Sequence, residues 1–183
     1  LAEVPLHPAE QITIDNINVK FLQVDKELGL LVGTVEGLYR FAFSNDNQSL
    51  SSKIITLIPD LNIWDYISSD DGDFVATEKG LFSFSRINSE IELILNYEKS
   101  KFNINDNTIS DLTISQTGVL WLSSRSQGVF TWPISTRRFK NINLPVNNTI
   151  NKIHEDEDNI IWFGTNDGLA QYNPKTKTTR TFL

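Results

Sequence analysis

The stretch from Ile150 to Tyr172, I-N-K-I-H-E-D-E-D-N-I-I-W-F-G-T-N-D-G-L-A-Q-Y, reads as three short strands joined by two tight turns. Ile150 to Ile153 opens an apolar strand, and Glu155-Asp156-Glu157-Asp158-Asn159 is charged enough to be a hairpin tip. Ile160-Ile161-Trp162-Phe163 has the β-branched and aromatic composition that suits a pleated, buried surface. Thr165-Asn166-Asp167-Gly168 turns the chain, because Asn and Asp tolerate left-handed backbone and Gly adopts it without a Cβ clash. Leu169 to Tyr172 runs back, Asn173-Pro174 interrupts it, and Thr178 to Leu183 can add a fourth strand. One four-stranded sheet cannot bury both of its faces, so it needs neighbours.

Alignment on the turn glycine finds them. L-V-G-T-V-E-G-L-Y-R-F (Leu31 to Phe41), F-V-A-T-E-K-G-L-F-S-F (Phe74 to Phe84) and W-L-S-S-R-S-Q-G-V-F-T-W (Trp121 to Trp132) repeat Trp162 to Tyr172. The glycines Gly37, Gly80, Gly128 and Gly168 stand 43, 48 and 40 residues apart. A period in the forties with several strands per unit is the mark of a propeller blade, not of a helical solenoid. The upstream strand repeats as well. Leu22, Leu112 and Ile153 each precede the aligned Leu31, Trp121 and Trp162 by nine residues, and Tyr66 precedes Phe74 by eight.

The pattern I-x-x-I-x-E-D-x-x-N-x-I-W-F-G-T-x-x-G-L-x-x-Y-N-P resembles the two-component regulator propeller repeat. The fourth unit carries it almost throughout. The third has one inserted residue and Ser123-Ser124 for Gly-Thr; the second has Ala76 for Gly and no Trp. The first lacks both the Trp and the acidic hairpin tip. The resemblance implies an all-β propeller of four-stranded antiparallel blades. About four blades are present, as part of a larger ring, since rings of this family need about six to eight; a closed four-bladed ring is the alternative. The expected blades span about 17–60, 61–100, 107–146 and 148–183 in a single segment, 1–183. Residues 1–16, with the strand candidate Gln11 to Ile14, form a tail or a closing strand.

Composition narrows the function classes. The net charge of −7 argues against a nucleic-acid partner, which would call for a basic stripe. No apolar run approaches the roughly 18 residues that span a bilayer, and Leu1-Ala2-Glu3-Val4-Pro5 reads as a trimmed or mature start without a signal peptide. The chain has no Cys and no Met. The first excludes thiolate metal sites and Cys nucleophiles; the second points to a fragment or processed product. No cofactor is expected.

Catalytic motifs are weak. His7 lies in a Pro-flanked tail and His154 beside a hairpin tip, with no G-x-S-x-G nearby. His154 to Asp158 reads as a solvated turn more readily than as a metal site. Asp70-Asp71-Gly72-Asp73 has a calcium-loop look but lacks the Glu and the helices of an EF-hand. No Gly-rich phosphate loop precedes a helix, and no stretch has helical apolar periodicity.

Binding is the stronger expectation. The turns between second and third strands (Thr34 to Glu36, Thr77 to Lys79, Ser124 to Gln127, Thr165 to Asp167) and the linkers carrying Asn62, Asn107 and Asn148 should rim one mouth of the tunnel. Lys20, Trp64, Ser110 and Asn151 occupy equivalent positions at the start of the first strands, and Trp64 is the aromatic among polar counterparts. It could stack on a sugar ring or pack between blades. Arg125, in the turn with the insertion, should reach furthest. The expected ligand-binding residues are Arg125, Trp64, Lys79, Glu36, Asn166 and Asn148.

The resemblance further implies a periplasmic sensor domain of a membrane-tethered bacterial signalling protein. It would have no activity of its own, would bind a small molecule or oligosaccharide, and would relay the signal through a homodimer to a kinase or cyclase output. The alternatives are a scaffold for protein partners, which predicts an apolar mouth, and a propeller hydrolase or lyase, which predicts convergent carboxylates with shifted pKa values.

Overall fold

The structure is a computed structural model that describes residues 18–43, 50–88, 90–95, 107–134, 140–142, 144–145 and 149–182. The tail with His7 and the strand candidate at 11–14, most of the 98–107 connector, and Asn148 lie outside the described residues. Among the described residues, sixteen strands form four antiparallel sheets, each a simple meander of four consecutive strands. Blade one holds β1 (Val19–Asp25), β2 (Gly29–Thr34), β3 (Gly37–Phe43) and β4 (Leu50–Pro59). Blade two holds β5 (Ile63–Ser69), β6 (Gly72–Thr77), β7 (Gly80–Phe84) and β8 (Ile91–Leu95). Blade three holds β9 (Ile109–Ile114), β10 (Val119–Ser124), β11 (Gly128–Pro133) and β12 (Lys140–Ile142). Blade four holds β13 (Ile150–Glu155), β14 (Ile161–Thr165), β15 (Gly168–Asn173) and β16 (Thr178–Phe182).

The repeat's signature residues have local jobs. In the Thr-x-x-Gly turn the hydroxyl of Thr34, Thr77 or Thr165 donates to the carbonyl of Gly37, Gly80 or Gly168 and accepts an N–H from within the turn. The glycines sit at positive φ (Gly80 at 127°, Gly168 at 132°), which a side chain would strain. The small residue before the Thr has its own reason. Gly33 pairs with Phe21 of β1, and a Cβ there would lie 1.9 Å from the Phe21 ring. The same register position pairs Ala76 with Asp65, Ser123 with Asp111 and Gly164 with Lys152. Units two and three can therefore depart from Gly because smaller neighbours face them.

The hairpin tip of blade four is organised by Asp156. Its carboxylate accepts the N–H groups of Asp158 and Ile160 and, at 2.6 Å, the indole N–H of Trp162. Those bonds, with the Trp162 N–H first and the Ile160 N–H next, hold its pKa below the ordinary carboxyl value. The stretch His154 to Asp158 is thus a structural turn. Blade one was expected to lack an acidic tip; Asp25 fills that role, accepting the N–H groups of Glu27 and Leu28.

Three apolar cores stand between the four sheets. Leu31, Leu38 and Ile58 of blade one meet Ile63, Tyr66 and Val75 of blade two. Phe74 and Leu81 of blade two meet Leu112, Leu122, Phe130 and Trp132 of blade three. Trp121 of blade three packs on Phe163 and Tyr172 of blade four, with ring centroids 6.2 and 5.8 Å away. The first strands lie side by side through the series, β1 on β5, β5 on β9 and β9 on β13. Among the described residues the arc does not close, as in a partial propeller. Leu22 and Val24 of blade one are 65% and 68% exposed, and Leu169 and Phe182 of blade four 42% and 48%. The counterparts of Leu22 in the other three blades, Tyr66, Leu112 and Ile153, are buried.

Candidate ligand site at the turn mouth

The first strand of every blade begins with a β-bulge. The register skips one residue between Val19 and Phe21, between Ile63 and Asp65, opposite Ser123 and Ser124, and between Ile150 and Lys152. The unpaired residues are Lys20, Trp64, Ser110 and Asn151. A bulge re-aims the side chain it frees, and here it does so four times at one end of the arc. The turns between second and third strands reach the same end: Val35, Glu78 and Arg125 donate their N–H groups to the carbonyls of Asn18, Asn62 and Thr108 in the preceding linkers.

Two of these bulge residues and one turn residue converge. The Lys20 ammonium of blade one and the Arg125 guanidinium of blade three each lie 4.6 Å from the centroid of the Trp64 ring of blade two. Both contacts have cation–π geometry, in which the negative face of the indole attracts positive charge. Neither cation forms an ion pair among the described residues. Trp64 Nε1 and Asn62 Oδ1 are buried and unpartnered there too.

Of the expected residues, the structure thus brings Trp64 and Arg125 together and adds Lys20, whose equivalence to Trp64 was visible in the sequence. The cations stand over the Trp64 ring, for which the sequence left open a stacked sugar ring or packing between blades. Asn166 is in the fourth turn, its Oδ1 accepting a 2.8 Å bond from Asn151 Nδ2. Glu36 and Lys79 are exposed on the first two turns, and neither joins the Trp64 cluster.

The residue after each bulge forms a second row, Phe21, Asp65, Asp111 and Lys152, that links successive blades. Asp65 Oδ2 accepts the Leu112 N–H at 2.8 Å, and Asp111 Oδ2 accepts the Ile153 N–H at 2.6 Å. Lys152 Nζ donates to Asp111 Oδ1. Burial, with the Asp111 charge next, pushes the Asp65 carboxyl up to about 7. Paired carboxylates near the mouth are what the hydrolase alternative predicts, but Asp65 and Asp111 already accept the backbone of the next blade. Neither was named from the sequence, although each directly follows an aligned position, Trp64 or Ser110.

The opposite end is built differently. Arg86, between β7 and β8, donates to Asp73 at 2.6 Å, Asp25 at 2.8 Å and Glu27 at 2.9 Å, and also to Ser68 Oγ and Tyr66 Oη. Asp73, which looked like a calcium-loop ligand, is buried beneath this arginine. An open cleft of about 1290 Å³ lies at the same end, between the edge of blade two (Asp70, Ile91, Glu92) and Trp132 of blade three. The Trp64 cluster does not border it.

A sequence model of the family described as Two component regulator propeller matches residues 143–167. Histidine kinase P4 of Formosa agariphila is 29% identical in an alignment of 118 residues that covers 60% of this chain and 8% of the kinase. Two solved structures from B. thetaiotaomicron share the fold. The extracellular domain of the putative hybrid two-component system BT4673 gives a TM-score of 0.71 at 19% identity, over 91% of this chain and 22% of that one. That of BT3049 gives 0.70 at 20% identity, over 92% and 25%. The chain therefore spans a quarter or less of each of these three relatives.

Proposed function

We propose that the chain, whose residues 143–167 match the two-component regulator propeller model, is part of the extracytoplasmic sensor region of a bacterial membrane-tethered signalling protein. In this reading it binds a small ligand, an oligosaccharide, at the turn mouth and performs no chemistry on it. The longer protein passes the event to a kinase output, with two copies of the sensor coupled across a dimer. The observation that carries the reading is the convergence of Lys20, Trp64 and Arg125 from three successive blades on one mouth. A ligand touching all three would bias the relative position of the blades, which is what a sensor has to do.

The test is a transcriptional reporter driven by the full-length protein that carries this segment, in cells fed a panel of oligosaccharides. A response that Trp64→Ala abolishes, with membrane abundance unchanged, is the expected result. A Trp64→Ala protein that responds like the parent overturns the site. The hydrolase reading has the Asp65–Asp111 pair in its favour. Release of shorter saccharides by the purified chain, lost in Asp111→Asn, would decide for it.

A further inference from the structure

We infer that Lys20 and Arg125 form an anion subsite, and that the ligand of the turn mouth presents an acidic oxo group, carboxylate or sulfate, between them. The identity of the ligand rests on the sensor reading above; the anion subsite itself does not. The argument starts from charge. Two cations drawn to one indole ring repel each other, and the ring's quadrupole offsets only part of that cost. Elsewhere this protein neutralises its arginine thoroughly: Arg86 has three carboxylates within 2.9 Å. Lys20 and Arg125 have none among the described residues, although the chain carries 23 acidic residues and only 16 basic ones. Glu36 and Glu78 are on neighbouring turns of the same mouth and pair with neither.

The donors point the same way. The guanidinium keeps a planar fork of N–H groups and the ammonium three more donors, and no side-chain acceptor takes them among the described residues. An oxo anion bridging the two would accept from both and relieve the repulsion. Charge-assisted bonds of this kind are about twice as strong as neutral ones. The bulges supply the preorganisation, since Trp64 fixes where both cations stand before any ligand arrives. Arg125 owes its reach to the residue inserted in its turn, which no other blade has.

The test is NMR on the 183-residue chain, following the Arg125 Nε–H and Trp64 Nε1–H signals during titration with sodium acetate and, separately, sodium sulfate at constant ionic strength. We expect a saturable shift at Arg125 and Trp64 with at least one anion, while Arg86 Nε–H stays unmoved. Arg125→Gln and Lys20→Gln should each weaken the response, followed at Trp64, by about tenfold or more. The tighter arm identifies the acid as planar or tetrahedral. No saturable shift with either anion, or an unchanged Trp64 response in both variants, overturns the inference. If the anions bind but no acidic or neutral oligosaccharide does, the subsite stands and the oligosaccharide reading falls.

Discussion

The two ends of the arc use arginine in opposite ways. At the hairpin end Arg86 is enclosed by Asp25, Asp73 and Glu27 and joins blade one to blade two. At the turn end Arg125 and Lys20 lean on an aromatic ring and have no carboxylate partner among the described residues. Buried charges need partners to offset lost hydration, so the first arrangement belongs to folding. Charge left available at a mouth is what the proposed anion subsite would use.

Breaking the enclosed arginine should have the largest effect. Arg86→Met leaves Asp73 and Asp25 buried without a countercharge, and should lower the unfolding free energy by about 3–5 kcal/mol, read by urea denaturation at neutral pH. Adding Asp73→Asn should recover part of that loss. If Arg86→Met costs less than about 1 kcal/mol, the carboxylates have access to water and the contrast between the ends collapses.

The second test uses pH and lies near the turn end. Asp65 in the folded chain titrates at about 7, above its ordinary 3.8. Folding therefore takes up a proton between these values. The stability this provides is fully present below 3.8 and is lost as pH rises through about 7. Asp65→Asn keeps an oxygen for the Leu112 N–H and removes the charge that faces Asp111. It should match the parent at low pH and exceed it at pH 8 by on the order of 2 kcal/mol. Stability curves that stay parallel across this range would show that Lys152 already compensates the pair.

The smallest effect is expected at the open cations. Arg125→Ala removes one cation–π contact at an exposed site, so its stability cost should be about 1 kcal/mol or less. A loss as large as that of Arg86→Met would make Arg125 a structural clamp and remove the reason to look for a ligand there.

Much of this was legible in the chain because the repeat speaks four times. The Thr-x-x-Gly turns, the strand order and the equivalence of Lys20, Trp64, Ser110 and Asn151 all follow from local pattern: turn chemistry acts within four residues, and strand pairing alternates with period two. The departures were legible as departures but not as chemistry. Ala76 and Ser123 stood out, yet only the pairing with Asp65 and Asp111 says why a larger residue fits. Asp73 looked like a loop residue because its partner Arg86 lies thirteen positions on, across a hairpin.

By itself, then, the sequence determined the blade, its repetition and the end at which the variable turns gather, since each depends on residues close in the chain. Which blades touch, which face stays open and which charges are answered came only from tertiary structure. Lys20 and Arg125 are separated by more than a hundred residues in the sequence and meet over one ring. Coulomb and cation–π energies depend on distance in space, and no pattern along the chain encodes that distance until the blades have packed.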